Sequence, residues 1–399
     1  MTSLFESVEL AARDPILGLN EQYNADTRQN KVNLGVGVYY DDEGRIPLLE
    51  SVRQAEVARI EARAARGYLP IEGIADYNKG AQTLLLGKDS PIVAEGRVLT
   101  AQALGGTGAL KIGADFLKAL LPVAKVLISD PSWENHRALF ERAGFPVDTY
   151  AYYDAATRGL NFDGMLASLE AQPPQTIVVL HACCHNPTGV DPTPEQWERI
   201  AQVIKAKNLV PFLDIAYQGF GDGLEEDAAV VRMFAKLGLT MLISSSFSKS
   251  FSLYGERVGA LTLVAASKDE SVRVLSQLKR IIRTNYSNPP THGGTVVSTV
   301  LNTPQLYETW SRELAGMRDR IRDMRRQLVD KLEAAGAQQD FGFVLKQRGM
   351  FSYSGLTAAQ VDRLREEFGV YAVSSGRICV AALNSGNIDY VAESIAKVL

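Results

Sequence analysis

The chain of 399 residues is poor in cysteine and histidine, with three of the first and four of the second. Cys183 and Cys184 are adjacent and Cys379 is far away. They form neither a disulfide framework nor a CxxC pair, so a reducing compartment, the cytoplasm, is expected. His181 and His185 are four apart but flank the cysteine pair in a strand-to-loop segment. No metal site is expected from them. No run of about 18 apolar residues occurs, so no membrane span is expected. The first residues, MTSLFESVELAARDP, carry early acidic groups and no long apolar core, unlike a signal peptide. Charge of neither sign dominates: 42 Lys and Arg stand against 46 Asp and Glu, a net of −4. That balance argues against nucleic acid as the main partner. Repeats, low-complexity tracts and Pro/Gly/Ser-rich linkers are also missing. What remains, 46% hydrophobic and 22% charged, suits a globular protein with room for two domains and a sizeable core.

From about residue 98 the pattern alternates between short apolar runs and helical stretches. The predicted strands are Val98–Leu104, Lys125–Ser129, Thr176–His181, Leu209–Asp214, Met241–Ser246 and Gly259–Val264. Helices are expected between them at Ala109–Leu121, Asn135–Ala143, Pro194–Lys207 and Ala228–Leu237. Such alternation implies an α/β fold with a mainly parallel sheet flanked by helices. Small ligands bind beyond the carboxyl ends of such strands. Earlier, Asp14-Pro15 reads as a turn or helix start, and Val32–Tyr40 as a short strand broken by Gly35 and Gly37. Leu48–Arg66 reads as a helix with Arg and Glu on its wet face. After residue 300 come a long Arg-rich helix, Glu308–Ala335, and then α+β elements. These read as a second, smaller domain joined through a continuous helix.

The stretch around Lys249 organises the rest. An apolar strand ends in Ser244, Ser245, Ser246 and Ser248, then Lys249, with Arg257 eight residues on. Hydroxyls and a guanidinium near a lysine suit an anion site. The cation also disfavours the charged ammonium, which helps the amine act as a nucleophile. Leu104-Gly-Gly-Thr-Gly108 follows a strand and opens a helix, an anion-binding arrangement that lacks both the Walker and the GxGxxG pattern. Asp214 ends a buried strand, either as a cap or as the partner of a buried cation. Asn186-Pro-Thr-Gly189 is a turn on its own evidence. Arg377, among apolar neighbours, wants an anion.

Together these blocks resemble the fold type I pyridoxal-phosphate-dependent aminotransferases, close to the aspartate/aromatic subgroup, along essentially the whole chain. The resemblance implies pyridoxal 5'-phosphate as cofactor, held by Lys249 as a Schiff base. Lys249 also moves the α-proton. Asp214 would pair with the pyridine nitrogen, and Tyr217 would donate to the phenolic oxygen. Trp133 stacks on the ring, and Asn186 reaches both cofactor and substrate. Gly106, Thr107, Ser246 and Arg257 hold the phosphate, joined by Tyr68 from across a subunit interface. Gly37 belongs to the substrate site, Arg377 grips the α-carboxylate, and Arg283 reaches from the neighbouring subunit to a side-chain carboxylate. The implied partners are amino acids, 2-oxo acids and a second copy of the chain, in a homodimer with shared sites. The expected division is an arm over 1–12, a small domain over 13–45 and 316–399, and a large cofactor-binding domain over 46–315. The expected activity moves the amino group of tyrosine or phenylalanine to 2-oxoglutarate, with overlapping aspartate activity. Aspartate as the main substrate is the alternative. A lyase or decarboxylase on the same fold, or a non-enzymatic nucleotide-binding module, are the rivals.

Overall fold

The computed structural model describes residues 3–399, so residues 1–2 of the expected N-terminal arm lie outside it. Seven strands form the central sheet: β1 (Val98–Leu104), β2 (Val126–Asp130), β3 (Val147–Ala151), β4 (Ile177–His181), β5 (Val210–Ile215), β6 (Met241–Ser246) and β7 (Val258–Val264). Their spatial order is β1-β7-β6-β5-β4-β2-β3. Only β7 runs antiparallel to its neighbours. The sheet is therefore mainly parallel, as expected, and β3 is a strand that the sequence reading missed.

The continuous apolar runs have a simple cause. A strand covered on both faces must be apolar at every position. Ile177 and Val179 of β4 join one apolar layer, and Val178 and Leu180 join the other. Leu242 and Ile243 of β6 divide in the same way. The helices that supply these layers include α1 (Gly105–Leu120), α2 (Glu134–Arg142) and α3 (Pro194–Lys207). A capping box at Thr193 and Gln196 starts α3, and Asn208 in the left-handed region ends it.

Sheet direction sets up the site. The carboxyl ends of β1, β2, β4, β5 and β6 open on one edge. Because β7 is antiparallel, its amino end lies there too: Val258 pairs with Leu104, and Gly259 with Ser246. Arg257, just before β7, is thereby delivered beside the end of β6.

Two further helices matter, α4 (Lys268–Asn285) and α5 (Pro304–Ala334). The second buries Trp310, Leu314, Met317, Ile321, Met324, Leu328 and Leu332, a stripe at helical spacing. Trp310 Nε1 donates to Ser250 O at 2.7 Å, close to Lys249, while Arg325 further along donates to Gly349 O at 2.7 Å. One helix thus touches both the loop around Lys249 and the C-terminal segment. Two small ladders complete the chain: Val32–Asn33 with Val370–Tyr371, and Phe351–Tyr353 with Arg377–Cys379.

Several boundaries differ from expectation. Val32–Tyr40 is a strand only at Val32–Asn33. Beyond it Gly35 fits under Leu19, where a Cβ would come within 2.4 Å of Cδ2, and the chain leaves the ladder. The helix expected over Leu48–Arg66 spans Glu50–Glu61, and the one over Ala228–Leu237 is Ala229–Lys236, preceded by a separate short helix at Leu224–Asp227. In the C-terminal part the strands are Val370–Tyr371 and Arg377–Cys379, the second followed by a 3₁₀ turn at Val380–Ala382. Asp14 does start a helix: its Oδ1 accepts from the backbone N–H of Ile16 and Leu17, ahead of Leu17–Ala25. Among the described residues, no helix is long and apolar enough to cross a membrane.

Candidate active site

Two adjoining cavities of about 360 and 550 Å³ open at the carboxyl edge of the sheet. Lys249, Asn186, Tyr217, Trp133, Thr107, Gly37 and Arg257 line both. Asp214, Gly106 and Ser246 line the first, and Arg377 the second. Residues scattered from 37 to 377 therefore meet in one place. Tyr68 and Arg283 line neither cavity. Tyr68 is 96% exposed, and Arg283 is exposed with its guanidinium on Ser287 Oγ.

Lys249 follows the last serine of β6 in a turn. Burial pulls its amine down from the usual lysine range to about 8; Asp214 opposes the shift, and Arg257 and Arg377 add to it. At neutral pH part of the lysine is thus neutral and nucleophilic. Its Nζ lies 5.1 Å from the centre of the Tyr217 ring.

Asp214 is buried, 4% exposed, one residue from the end of β5. Burial works to raise its pKa, but the hydrogen bond from His136, backed by the positive groups around it, outweighs that and lowers it. His136 Nε2 stands 3.0 Å from Asp214 Oδ2, and its Nδ1 stands 3.0 Å from Ser132 Oγ. Asp214 is thus held as a carboxylate with one edge pinned. His181 pairs with Asp214 in strand register and also lines the first cavity. Burial, then His136, depresses its pKa to about 3, so the ring is neutral.

The anion side of the cavity is built from backbone. Helix α1 starts at Gly105 with no side-chain cap, leaving first-turn N–H groups free. Gly105 has φ +69°, and a Cβ there would come within 2.5 Å of Arg257 Nη2. Only glycine lets the guanidinium approach. Ser248 N–H donates to Ser246 Oγ at 3.3 Å, and Arg257 Nη1 donates to Tyr254 O at 2.9 Å.

At the other end Arg377 is 1% exposed and lies 4.3 Å from the centre of the Phe351 ring. Nη1 donates to Asn186 Oδ1 at 3.0 Å and Nη2 to Gly35 O at 2.7 Å, while Nε is buried without a partner. A buried guanidinium edge without an acceptor is costly and fits an incoming carboxylate. Asn186 Nδ2 donates to Tyr217 Oη at 3.4 Å. Burial pushes the Tyr217 phenol well above its usual range, so it remains a donor. Gly37 allows close packing, since a Cβ there would come within 2.6 Å of Phe351 Cζ.

The sequence reading missed His136, His181, Tyr254 and Phe351 as members of the site. His181 was findable: it ends a strand as Asp214 does, and ends of adjacent parallel strands are neighbours. His136 had one signal, a polar residue three positions after Trp133 on the apolar side of a helix.

An uncapped helix start and an arginine at one end, a depressed lysine in the middle and an unsatisfied buried arginine at the other define an enzyme class. It performs amine chemistry on a phosphorylated cofactor and a carboxylate substrate, and these residues fit pyridoxal phosphate. The chain belongs to the aminotransferase class I and II family, whose pattern it matches over residues 29–395, and is thus a pyridoxal-phosphate-dependent transferase. It is 68% identical over 397 residues to the aspartate aminotransferase of Pseudomonas aeruginosa, covering 100% of both chains. It is 52% identical over 398 residues to the aromatic-amino-acid aminotransferase of Escherichia coli K12, covering 99% of this chain and 100% of that one. The crystal structure of the aromatic-amino-acid aminotransferase from Burkholderia pseudomallei, covalently bound to pyridoxal phosphate, superposes with a TM-score of 0.98 at 69% identity and 100% coverage of both chains. The chain falls within the aspartate/aromatic subgroup.

Proposed function

We propose that this enzyme moves the amino group of tyrosine or phenylalanine to 2-oxoglutarate and turns over aspartate as a second class of substrate. The bound cofactor supplies an electron sink that makes the substrate's α-proton removable. Lys249 Nζ takes that proton and returns one to the α-carbon of the 2-oxo acid in the opposite half-reaction. With the cofactor bound, the Asp214 carboxylate would hold a proton on the pyridine nitrogen, and His136 keeps that carboxylate oriented. Tyr217 would donate to the phenolic oxygen, with Asn186 beside it. Trp133 would cover the ring. Gly106, Thr107, Ser246 and Arg257 bind the phosphate, joined by Tyr68 of a second copy. Gly37 and Arg377 receive the substrate, and Arg377 Nε gains the α-carboxylate as its missing partner.

One observation carries the aromatic preference. The larger cavity has apolar walls from Ile16, Leu17, Trp133 and Phe351. Its two lining arginines, Arg257 and Arg377, are both assigned, to the phosphate and the α-carboxylate. A second carboxylate must then be met by Arg283 of a second copy, in a homodimer whose sites are shared. Aromatic side chains need only the apolar walls. The name of the Pseudomonas relative favours the second reading, aspartate as the main substrate. We place the enzyme in the cytoplasm, with a small domain over 13–45 and 316–399 packed on a large one over 46–315. The test is kcat/KM for phenylalanine, tyrosine and aspartate with 2-oxoglutarate as acceptor. The aromatic reading expects the first two to exceed aspartate; the reverse order establishes the second reading.

A further inference from the structure

Away from the site, a cavity of about 350 Å³ lies between the Phe220–Gly221 turn, the middle of α5 and the segment before Phe351. Its lining holds four arginines, Arg322, Arg325, Arg326 and Arg348, and no acidic residue. We propose that this cavity is a binding site for a doubly charged oxyanion of the phosphate class.

The charge balance around the cavity carries the inference. Asp222 reaches both Arg322, at 2.7 Å, and Arg348, at 3.1 Å, so one carboxylate serves two guanidinium groups. Arg326 has Asp323 at 3.1 Å and Arg322 has Asp319 at 4.0 Å, all four side chains in these two pairs well exposed. Pairs of that kind are weak and readily exchanged. Arg325 is different. It is 3% exposed and donates only to neutral carbonyls, those of Val344, Gly349 and Phe351. Among the described residues no carboxylate lies within ion-pair distance of it. Buried charges are normally paired, and a buried guanidinium beside three others is a poor choice for stability alone. Arg322, Arg326 and Arg348, whose pairs are exchangeable, offer planar forks that match the oxygens of a phosphate, while Arg325, its Nη groups held by carbonyls, adds buried positive charge.

The position gives such an anion a structural effect. The Arg348 N–H donates to Gly189 O at 2.7 Å, and a Cβ on Gly349 would come within 2.5 Å of Cys184 Cβ. Both contacts fall on the loop that carries Asn186. An anion drawing Arg322 and Arg348 together braces that loop from behind.

The experiment is calorimetric titration of inorganic phosphate into the holoenzyme, whose cofactor phosphate subsite is filled, at constant ionic strength set with chloride. The comparison is the Arg322→Gln/Arg326→Gln double variant, with Arg326→Gln alone, at an exposed position, should the double variant not fold. Saturable binding to the wild type, weakened at least about tenfold in the double variant while transamination stays within about twofold, is expected from the loss of charge-assisted bonds. A parallel titration with glycerol phosphate separates free phosphate from a phosphate monoester as the better ligand. Phosphate that competes with the amino acid equally in both proteins reports Arg377 and not this cavity. No saturable heat in the wild type, or equal affinity in both proteins, overturns the proposal.

Discussion

Lys249 and Arg283 are both cations assigned to the same chemistry, yet their surroundings have little in common. Lys249 sits between Asp214, Tyr217 and Arg377 with its pKa pulled down to about 8. Arg283 projects from the last turn of α4 into solvent. Burial has tuned the first for one reaction in one geometry. Exposure leaves the second free to approach a charged side chain or withdraw from an apolar one. Lys249, Asp214 and Arg257 meet at one cavity within a single chain, whereas Arg283, like Tyr68, lines no part of it.

The largest expected effect breaks the cofactor half. Lys249→Ala removes the amine and the proton carrier together, and transamination should fall by at least about a thousandfold. Cofactor should still be retained through Gly106, Thr107, Ser246 and Arg257, as its absorption on the protein after gel filtration would show. Asp214→Ala comes next. Losing a charge-assisted contact worth about 1.5–3 kcal/mol predicts a loss of one to two decades or more in kcat, with an unchanged circular dichroism spectrum. If the protein unfolds instead, Asp214 is only a strand-end cap.

Arg283→Leu sharpens the contrast between regions. Losing a bidentate pair should cost aspartate roughly two to three decades in kcat/KM and leave phenylalanine nearly unchanged. Equal losses would remove Arg283 from the site. The same residue tests the shared dimer. Mixing Lys249→Ala chains with Arg283→Leu chains should regenerate aspartate activity, because one hybrid site then has both Lys249 and the partner's Arg283. A mixture no better than its parts would contradict a site built from two chains.

The smallest effect concerns protonation. In cofactor-free protein, a lysine with pKa about 8 is mostly protonated below that pH and mostly neutral above it. Acylation of Lys249 by a small amine reagent should therefore rise with pH and level off above about 8, where an ordinary lysine keeps rising past 10. A Lys249 that follows the ordinary profile would show that its burial does not tune it.

The sheet was legible because strands buried on both faces announce themselves as unbroken apolar runs; β3 was missed because Val147–Ala151 carries Asp148 and Thr149, both exposed at the sheet margin. Lys249, Asp214 and Arg377 stood out because a charged group beside an apolar run needs a partner; Asn186, a turn on its own evidence, was named through resemblance. His136 and Phe351 were not legible, because a helix and a short ladder aim them inward, and nothing local distinguishes them from core. Tyr68 and Arg283 were named only through resemblance, and a single chain leaves both in solvent.

The central claim is that Lys249, at the carboxyl edge of the sheet, is the amine that carries the cofactor. Reduction of the holoenzyme with borohydride, followed by peptide mass mapping, tests it directly. The account predicts one stable adduct, on the peptide that contains Lys249. An adduct on any other lysine, or none, would contradict it.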